Sequence, residues 1–334
     1  MLIDTGLGAD PTKAADRAKQ AEADGFDAIF TAETSRDPFF PLVLAAPATE
    51  RITLGTSIAV AFARNPMTLA NIGNDLNYLS HGRFILGLGS QIKPHITKRF
   101  SMPWGSPAAR MREMVLAMHA IWGCWNDRTK LEFRGEFYQH TLMTPFFDPG
   151  PNEFGPPRVF IAAVGPLMTQ VAGEVCDGMF AHSFTTPEFL NDVTLPALAK
   201  GRERSGRTAD DFEIQLPAFV VTGPDDETTA AVAQNVRRQI SFYGSTPAYR
   251  AVLEHHGWGD LQGELNALSK KGEWETMAGL IDDDVLDAFA VVAEPNQVAR
   301  KLTDRYGSIV QRLSINTMTD LGTEFWAPIV ADLR

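Results

Sequence analysis

Cysteine is nearly absent. The 334 residues contain two, Cys124 and Cys176, too far apart for a zinc knuckle, an iron–sulfur cluster or a CxxC redox pair. Both sit in apolar helical surroundings, where an inert buried thiol is expected. No run approaches the ~20 apolar residues that a membrane helix requires. The opening Met1-Leu2-Ile3-Asp4 meets an acid at once and lacks a charged-then-apolar leader, so a cytoplasmic protein is expected. Basic residues are in deficit too: 30 Lys and Arg stand against 41 Asp and Glu, a net charge of −11. That balance argues against a nucleic-acid or anionic-membrane partner, because phosphates are neutralised by Lys and Arg.

The common catalytic signatures are missing as well. The seven histidines form no HExxH or other ligand spacing, and no metal site is expected. There is no GxSxG elbow and no Walker loop. The first strand is followed by Gly6-Leu7-Gly8-Ala9-Asp10-Pro11, not by a full GxGxxG fingerprint. Metal-dependent hydrolysis, triad chemistry and dinucleotide-dependent dehydrogenation therefore lack a positive sign.

What the chain does have is an alternation of short apolar segments and helical stretches. Strands are predicted at Leu2–Leu7, Ala28–Thr31, Thr53–Ala61, Phe84–Leu88, Val159–Ala163, Gly178–His182, Ile214–Val221 and Arg312–Ile315. Several are continuous apolar runs, as expected where both sheet faces are covered. Helices are expected from Asp10-Pro11 to near Gly25, after Asn65-Pro66, and over Ser106–Cys124, Pro166–Cys176, Pro187–Ser205 and Pro295–Tyr306. Parallel neighbours need crossovers, and about eight such units point to a closed (β/α)8 barrel of the α/β class, with an open doubly wound sheet as the alternative. The chain reads as one such domain over 1–334, with insertions near 91–105, 125–157 and 225–287. The second should hold a hairpin-like excursion around Arg134-Gly135-Glu136, the third several helices, including Glu227–Tyr243 and Pro247–His256.

A barrel of this kind keeps its chemistry at the carboxyl ends of its strands. Glu33 follows the second strand directly, as a pocket acceptor or a salt-bridged rim residue. Ser57 places a hydroxyl inside an apolar strand, open to a ligand or to a local backbone bond. Gly87-Leu88-Gly89-Ser90 allows close approach to backbone, for a phosphate or for a planar ring. Val164-Gly165-Pro166-Leu167 starts a helix with a proline at its first position, which suits a phosphate or simply makes a tight turn. His182 ends the sixth strand, and His95 lies in an expected lid, Gln91–Trp104.

Taken in order, Glu22-Ala23-Asp24-Gly25-Phe26-Asp27-Ala28-Ile29-Phe30, Arg51-Ile52-Thr53-Leu54-Gly55-Thr56-Ser57-Ile58, Arg64-Asn65-Pro66, Asn77 through Gly89 and Ala172 through Gly178 resemble the luciferase-like monooxygenase family, specifically the branch using the deazaflavin coenzyme F420. The resemblance covers most of the chain. It implies a barrel, usually dimeric, with a non-proline cis peptide in the third strand, here Ser57–Ile58, against the back of the cofactor ring. It implies Gly89 and Ser90 near the ribityl chain, and Val164, Gly165, Pro166 and Leu167 at the phosphate. It also implies a hydride transfer between F420 and a small, partly hydrophobic organic substrate.

Two departures bear on that expectation. Many F420-dependent members carry an acid followed by histidine after the second strand, where this chain has Glu33-Thr34. Some place a glutamate after the fourth strand, where Ile92 stands. The proton must then be handled elsewhere, with Glu33, Thr34, His95 and His182 as candidates. Phe39, Phe40, Phe62, Trp104 and Phe184 are candidates for an apolar wall, and Arg64, Lys93, Lys98 and Arg99 for a basic channel along the F420 tail. An FMN-dependent monooxygenase with a separate reductase shares the same expected pocket. A non-catalytic flavin-binding barrel is the reading from another class.

Overall fold

The computed structural model describes residues 1–334, the side chain of Thr323 lying outside that description. The fold is a (β/α)8 barrel whose barrel strands pair in parallel. Eight barrel strands occur where the apolar runs placed them, at Leu2–Gly6, Ala28–Thr31, Thr53–Thr56 continuing as Ala59–Val60, Phe84–Gly89, Arg158–Ala162, Gly178–Phe180, Glu213–Val221 and Arg312–Asn316. The chain divides into two compact units.

The first unit, Thr5–Phe180 with Ala197–Glu213, carries the second to sixth strands. Their inward residues Ala28, Phe30, Ile85, Phe160 and Phe180 form one buried cluster, against which Ile58 and Ala162 pack. The Phe180 ring stands 5.4 Å from both Phe30 and Phe160. Glycines make the room: a Cβ on Gly55 would come within 2.6 Å of the Phe30 ring, and one on Gly178 within 2.4 Å of Phe160. Large and small residues thus alternate across the interior, which is how a barrel fills to crystal-like density.

Helices in this unit begin where capping chemistry allows. Asn65 accepts the Thr68 amide at 3.0 Å with Pro66 at the first helical position, and the helix Pro66–Leu79 buries Leu69, Ala70, Gly73 and Leu76. A cap of this kind is worth about 1 kcal/mol. The insertion at 125–157 does contain a hairpin, but its strands are Phe133–Arg134 and Gln139–His140, so the turn includes Phe137 and Tyr138. The cause is Glu113, whose carboxylate takes the amides of Glu136, Phe137 and Tyr138 and leaves no space for a Cβ at Gly135.

The second unit, Met1–Asp4 with Ala181–Pro196 and Ile214–Arg334, holds the last two barrel strands and the start of the first. Arg312 forms a bidentate pair with Asp4 at 2.7 and 3.0 Å, both side chains buried. The insertion at 225–287 is helical as expected, with Asp226–Gly244, Arg250–His255, Gly259–Ser269, Trp274–Gly279 and Asp283–Phe289. Among the elements that escaped the sequence reading are a helix at Phe39–Ala45 in the first unit, and in the second a strand at Ala290–Val292 and a final helix at Thr323–Asp332. Among the described residues no helix is long and apolar enough to cross a membrane, and no group of His, Cys, Asp and Glu could hold a metal ion.

Candidate functional site

The third strand is interrupted where the cis peptide was expected: the Ser57–Ile58 bond is cis. The ladder to the fourth strand shows the accompanying bulge. Gly55 pairs with Ile85 and Ala59 with Leu88, so four steps on one strand oppose three on the other. Thr56 repairs the gap with its hydroxyl, which donates to the Gly87 carbonyl at 2.6 Å and accepts the Gly87 amide at 3.0 Å. The extra residue thrusts the Thr56 carbonyl at Gly87, where a Cβ would lie 1.7 Å from that oxygen. A Cβ at Gly89 would meet Ile58 at 2.7 Å. Both glycines are therefore explained by the bulge, which accounts for them without a phosphate loop. Ser57 donates its amide to Thr31 at 2.6 Å, while its hydroxyl has no hydrogen-bond partner among the described residues.

Glu33 is the clamp on this bulge. Its amide donates to the Ile58 carbonyl at 3.1 Å, and its carboxylate Oε2 accepts the Val60 amide at 2.7 Å. The same oxygen takes Arg64 Nη1 at 2.6 Å, with side chains 6% and 14% exposed, so the pair is shielded from solvent. Arg64 also reaches Asp37 at 2.9 Å and lies 5.2 Å from the centre of the Phe39 ring. Arg64 is thus engaged in this network and is not a free cation for a cofactor tail. Arg99 is engaged too, donating to the Thr34 carbonyl at 2.6 Å, whereas Lys93 and Lys98 are exposed. The Thr34 side chain is exposed, as are His95 on the short helix His95–Arg99 and Ile92 before it.

At the fourth strand end Ser90 donates to the Gln91 carbonyl at 3.2 Å. At the fifth, the helix Pro166–Val175 starts with no side-chain cap, and Val164, Gly165, Pro166 and Leu167 are all exposed. Added at Gly165, a Cβ would meet nothing within 4 Å. Free first-turn amides, the positive end of the helix and open space together suit an oxyanion.

His182 belongs to the second unit and is described there. Its Nδ1 accepts the Phe184 amide at 3.1 Å, which places the proton of the neutral ring on Nε2, facing the Tyr249 hydroxyl at 3.1 Å. Burial lowers its pKa from 6.5 to about 4. Burial, with Tyr243 adding to it, pushes the Tyr249 hydroxyl up to about 12. The aromatics expected at an apolar wall have differing surroundings within their own units. Phe62 and Trp104 meet at 6.0 Å, but Phe40 is 69% exposed and Phe184 stacks on Phe289 at 4.4 Å in the core of its own unit.

Sequence reasoning missed Thr56, Asp37 and the pairing of Arg64. A threonine before the Ser57–Ile58 break, facing a glycine across the ladder, is the signal that could have found the first. Nothing local in the sequence points to the other two.

The sequence profile of the family described as "Luciferase-like monooxygenase" matches residues 3–312. An uncharacterized protein of Mycobacterium tuberculosis is 57% identical over 301 residues, covering 90% of this chain and 88% of its own. An F420-dependent glucose-6-phosphate dehydrogenase of Intrasporangium calvum is 29% identical, over 87% of this chain and 84% of its own. The solved coenzyme F420 dependent tetrahydromethanopterin reductase of Methanopyrus kandleri superposes with a TM-score of 0.80 at 21% identity, covering 100% of this chain and 99% of that one.

Proposed function

The chain belongs to the luciferase-like monooxygenase family and is an enzyme of it, and from that premise we propose that it transfers a hydride between coenzyme F420 and a small, partly hydrophobic organic substrate. The observation that carries this reading is the bulge at Ser57–Ile58, clamped by Glu33 and backed by Gly89. It offers a backbone shelf with a free hydroxyl where a planar ring needs support. Ser57 and Ile58 would hold the ring, Gly89 and Ser90 the ribityl chain, and the turn Val164–Leu167 the phosphate, through the amides of Gly165 and Leu167, Pro166 having none to give. When bound, the reduced deazaflavin supplies a hydride at its central ring carbon.

The protein's own part is to position, to exclude water and to manage one proton. Of the four candidates for the proton, Glu33 already gives one carboxylate oxygen to Arg64 and Val60, which favours a positioning role. His182 is held neutral, able to donate from Nε2 and not to act as a cationic acid. Thr34 and His95 are exposed and remain available. The exposed Lys93 and Lys98 suit an acidic cofactor tail, which favours F420 over FMN.

A homodimer is part of the proposal. Helix Phe39–Ala45 turns Phe40, Val43 and Leu44 to solvent, 69%, 43% and 46% exposed, a patch that a second copy would cover. The two unpaired buried cysteines suit a reducing, cytoplasmic setting. The test is turnover. Oxidised F420 is mixed with the enzyme and a panel of secondary alcohols and sugar phosphates, and loss of the cofactor's visible absorbance is followed. Enzyme-dependent bleaching by any member supports the reading, and oxygen-consuming activity with reduced FMN alone would overturn it in favour of a monooxygenase.

A further inference from the structure

Arg110 sits in the first turn of the helix Pro107–Asn126 and is 8% exposed. Its Nε donates to the Tyr138 hydroxyl at 2.9 Å and its Nη1 to the Pro103 carbonyl at 2.8 Å. The guanidinium lies over the Phe62 ring, 4.5 Å from its centre. Among the described residues it has no carboxylate partner within 4.0 Å. Glu113, one turn further along the same helix, has its carboxylate on three backbone amides of the hairpin turn.

Two features of this place are unfavourable to a cation. A buried charge without a counter-ion is strongly disfavoured, and the first turn is the positive end of a helix of 20 residues whose N-cap, Ser106, makes no side-chain capping bond. The π face of Phe62 and two neutral acceptors offset part of this. They also fix the group. With Nε and Nη1 held, Nη2 is left with no hydrogen bond among the described residues, and it is not sealed from solvent. A rigid, largely buried guanidinium thus presents one free edge.

We propose that Arg110 is an oxyanion-binding residue that takes a carboxylate or phosphate group of a small organic ligand. The half-buried Trp104, whose ring meets that of Phe62, gives the ligand an apolar flank, while Tyr138 and the buried Phe62 ring hold the guanidinium in place. The inference stands without the assignment of the cofactor. Two sources share the chemistry, an acidic substrate and the glutamate tail of the proposed deazaflavin.

Thermal unfolding is measured for the wild type, Arg110→Gln and Arg110→Lys during titration with inorganic phosphate, ionic strength being held constant with chloride. The wild type should gain stability along a saturating curve. Arg110→Gln should lose phosphate affinity by at least about tenfold, and Arg110→Lys should retain part of it, since an ammonium keeps the charge without the planar fork. Should Arg110→Gln not fold, Tyr138→Phe, which frees Nε, should weaken phosphate binding in its place. A wild type indifferent to phosphate, or variants that respond as the wild type does, would overturn the proposal and leave Arg110 a strut between Pro103 and Tyr138. The sources are separated by binding F420 and the same deazaflavin trimmed of its glutamates. If the anion is the tail, Arg110→Gln weakens only the full cofactor; if it is the substrate's, both bind as to the wild type while the phosphate response is still lost.

Discussion

Acidification should destabilise this protein through His182 by an amount the structure sets. In the folded chain Nδ1 accepts the Phe184 amide and the ring is buried, so the imidazole resists a proton until about pH 4. In the unfolded chain it takes one near its ordinary 6.5. Between those values the unfolded state binds more protons, so stability is complete above pH 6.5 and is lost as the pH falls toward 4. From pH 8 to 4.5 the loss from this one residue is about 2.5 kcal/mol. His182→Asn removes the titration while offering an oxygen to the Phe184 amide. His119, His140 and His256 also have pKa values lowered by burial, but they titrate in both proteins and cancel in the difference. Urea unfolding of both across that pH range should therefore show the wild type losing about 2.5 kcal/mol more than the variant. Parallel pH profiles would refute the buried, neutral assignment of His182.

Other substitutions separate the roles assigned to the first unit. Glu33→Ala strips Arg64 of its shielded partner and frees the Val60 amide; it should cost about 3 kcal/mol in unfolding experiments and weaken cofactor binding with it. Gly165→Asp enters open space, so melting should be unchanged while affinity for either phosphate-bearing cofactor falls at least about tenfold in a fluorescence titration. Leu44→Asp charges the exposed face of helix Phe39–Ala45 and should halve the mass measured by sedimentation equilibrium, without loss of fold.

The barrel strands were legible because they are buried on both faces, and continuous apolar runs such as Phe84-Ile85-Leu86 have few other readings. The helix Phe39–Ala45 was not, because Phe-Phe-Pro-Leu-Val-Leu-Ala is apolar throughout and carries no period. Three residues, Ala290–Val292, are too few to stand out after the helix that ends at Phe289. At the site, the place of the cis bond was reached through family resemblance, while the reason for Gly87 lies in a carbonyl from another strand. Charge was the least readable feature. Arg64 looked available until Glu33 and Asp37 came beside it, and nothing around Arg110 in the expected helix Ser106–Cys124 signals its burial.

The most direct measurement is equilibrium binding of oxidised F420 and of FMN to the purified protein, followed by quenching of cofactor fluorescence. Saturable binding of F420 is expected, tighter than that of FMN and weakened by Gly165→Asp. Tight FMN binding with no affinity for F420, or no binding of either, would contradict it.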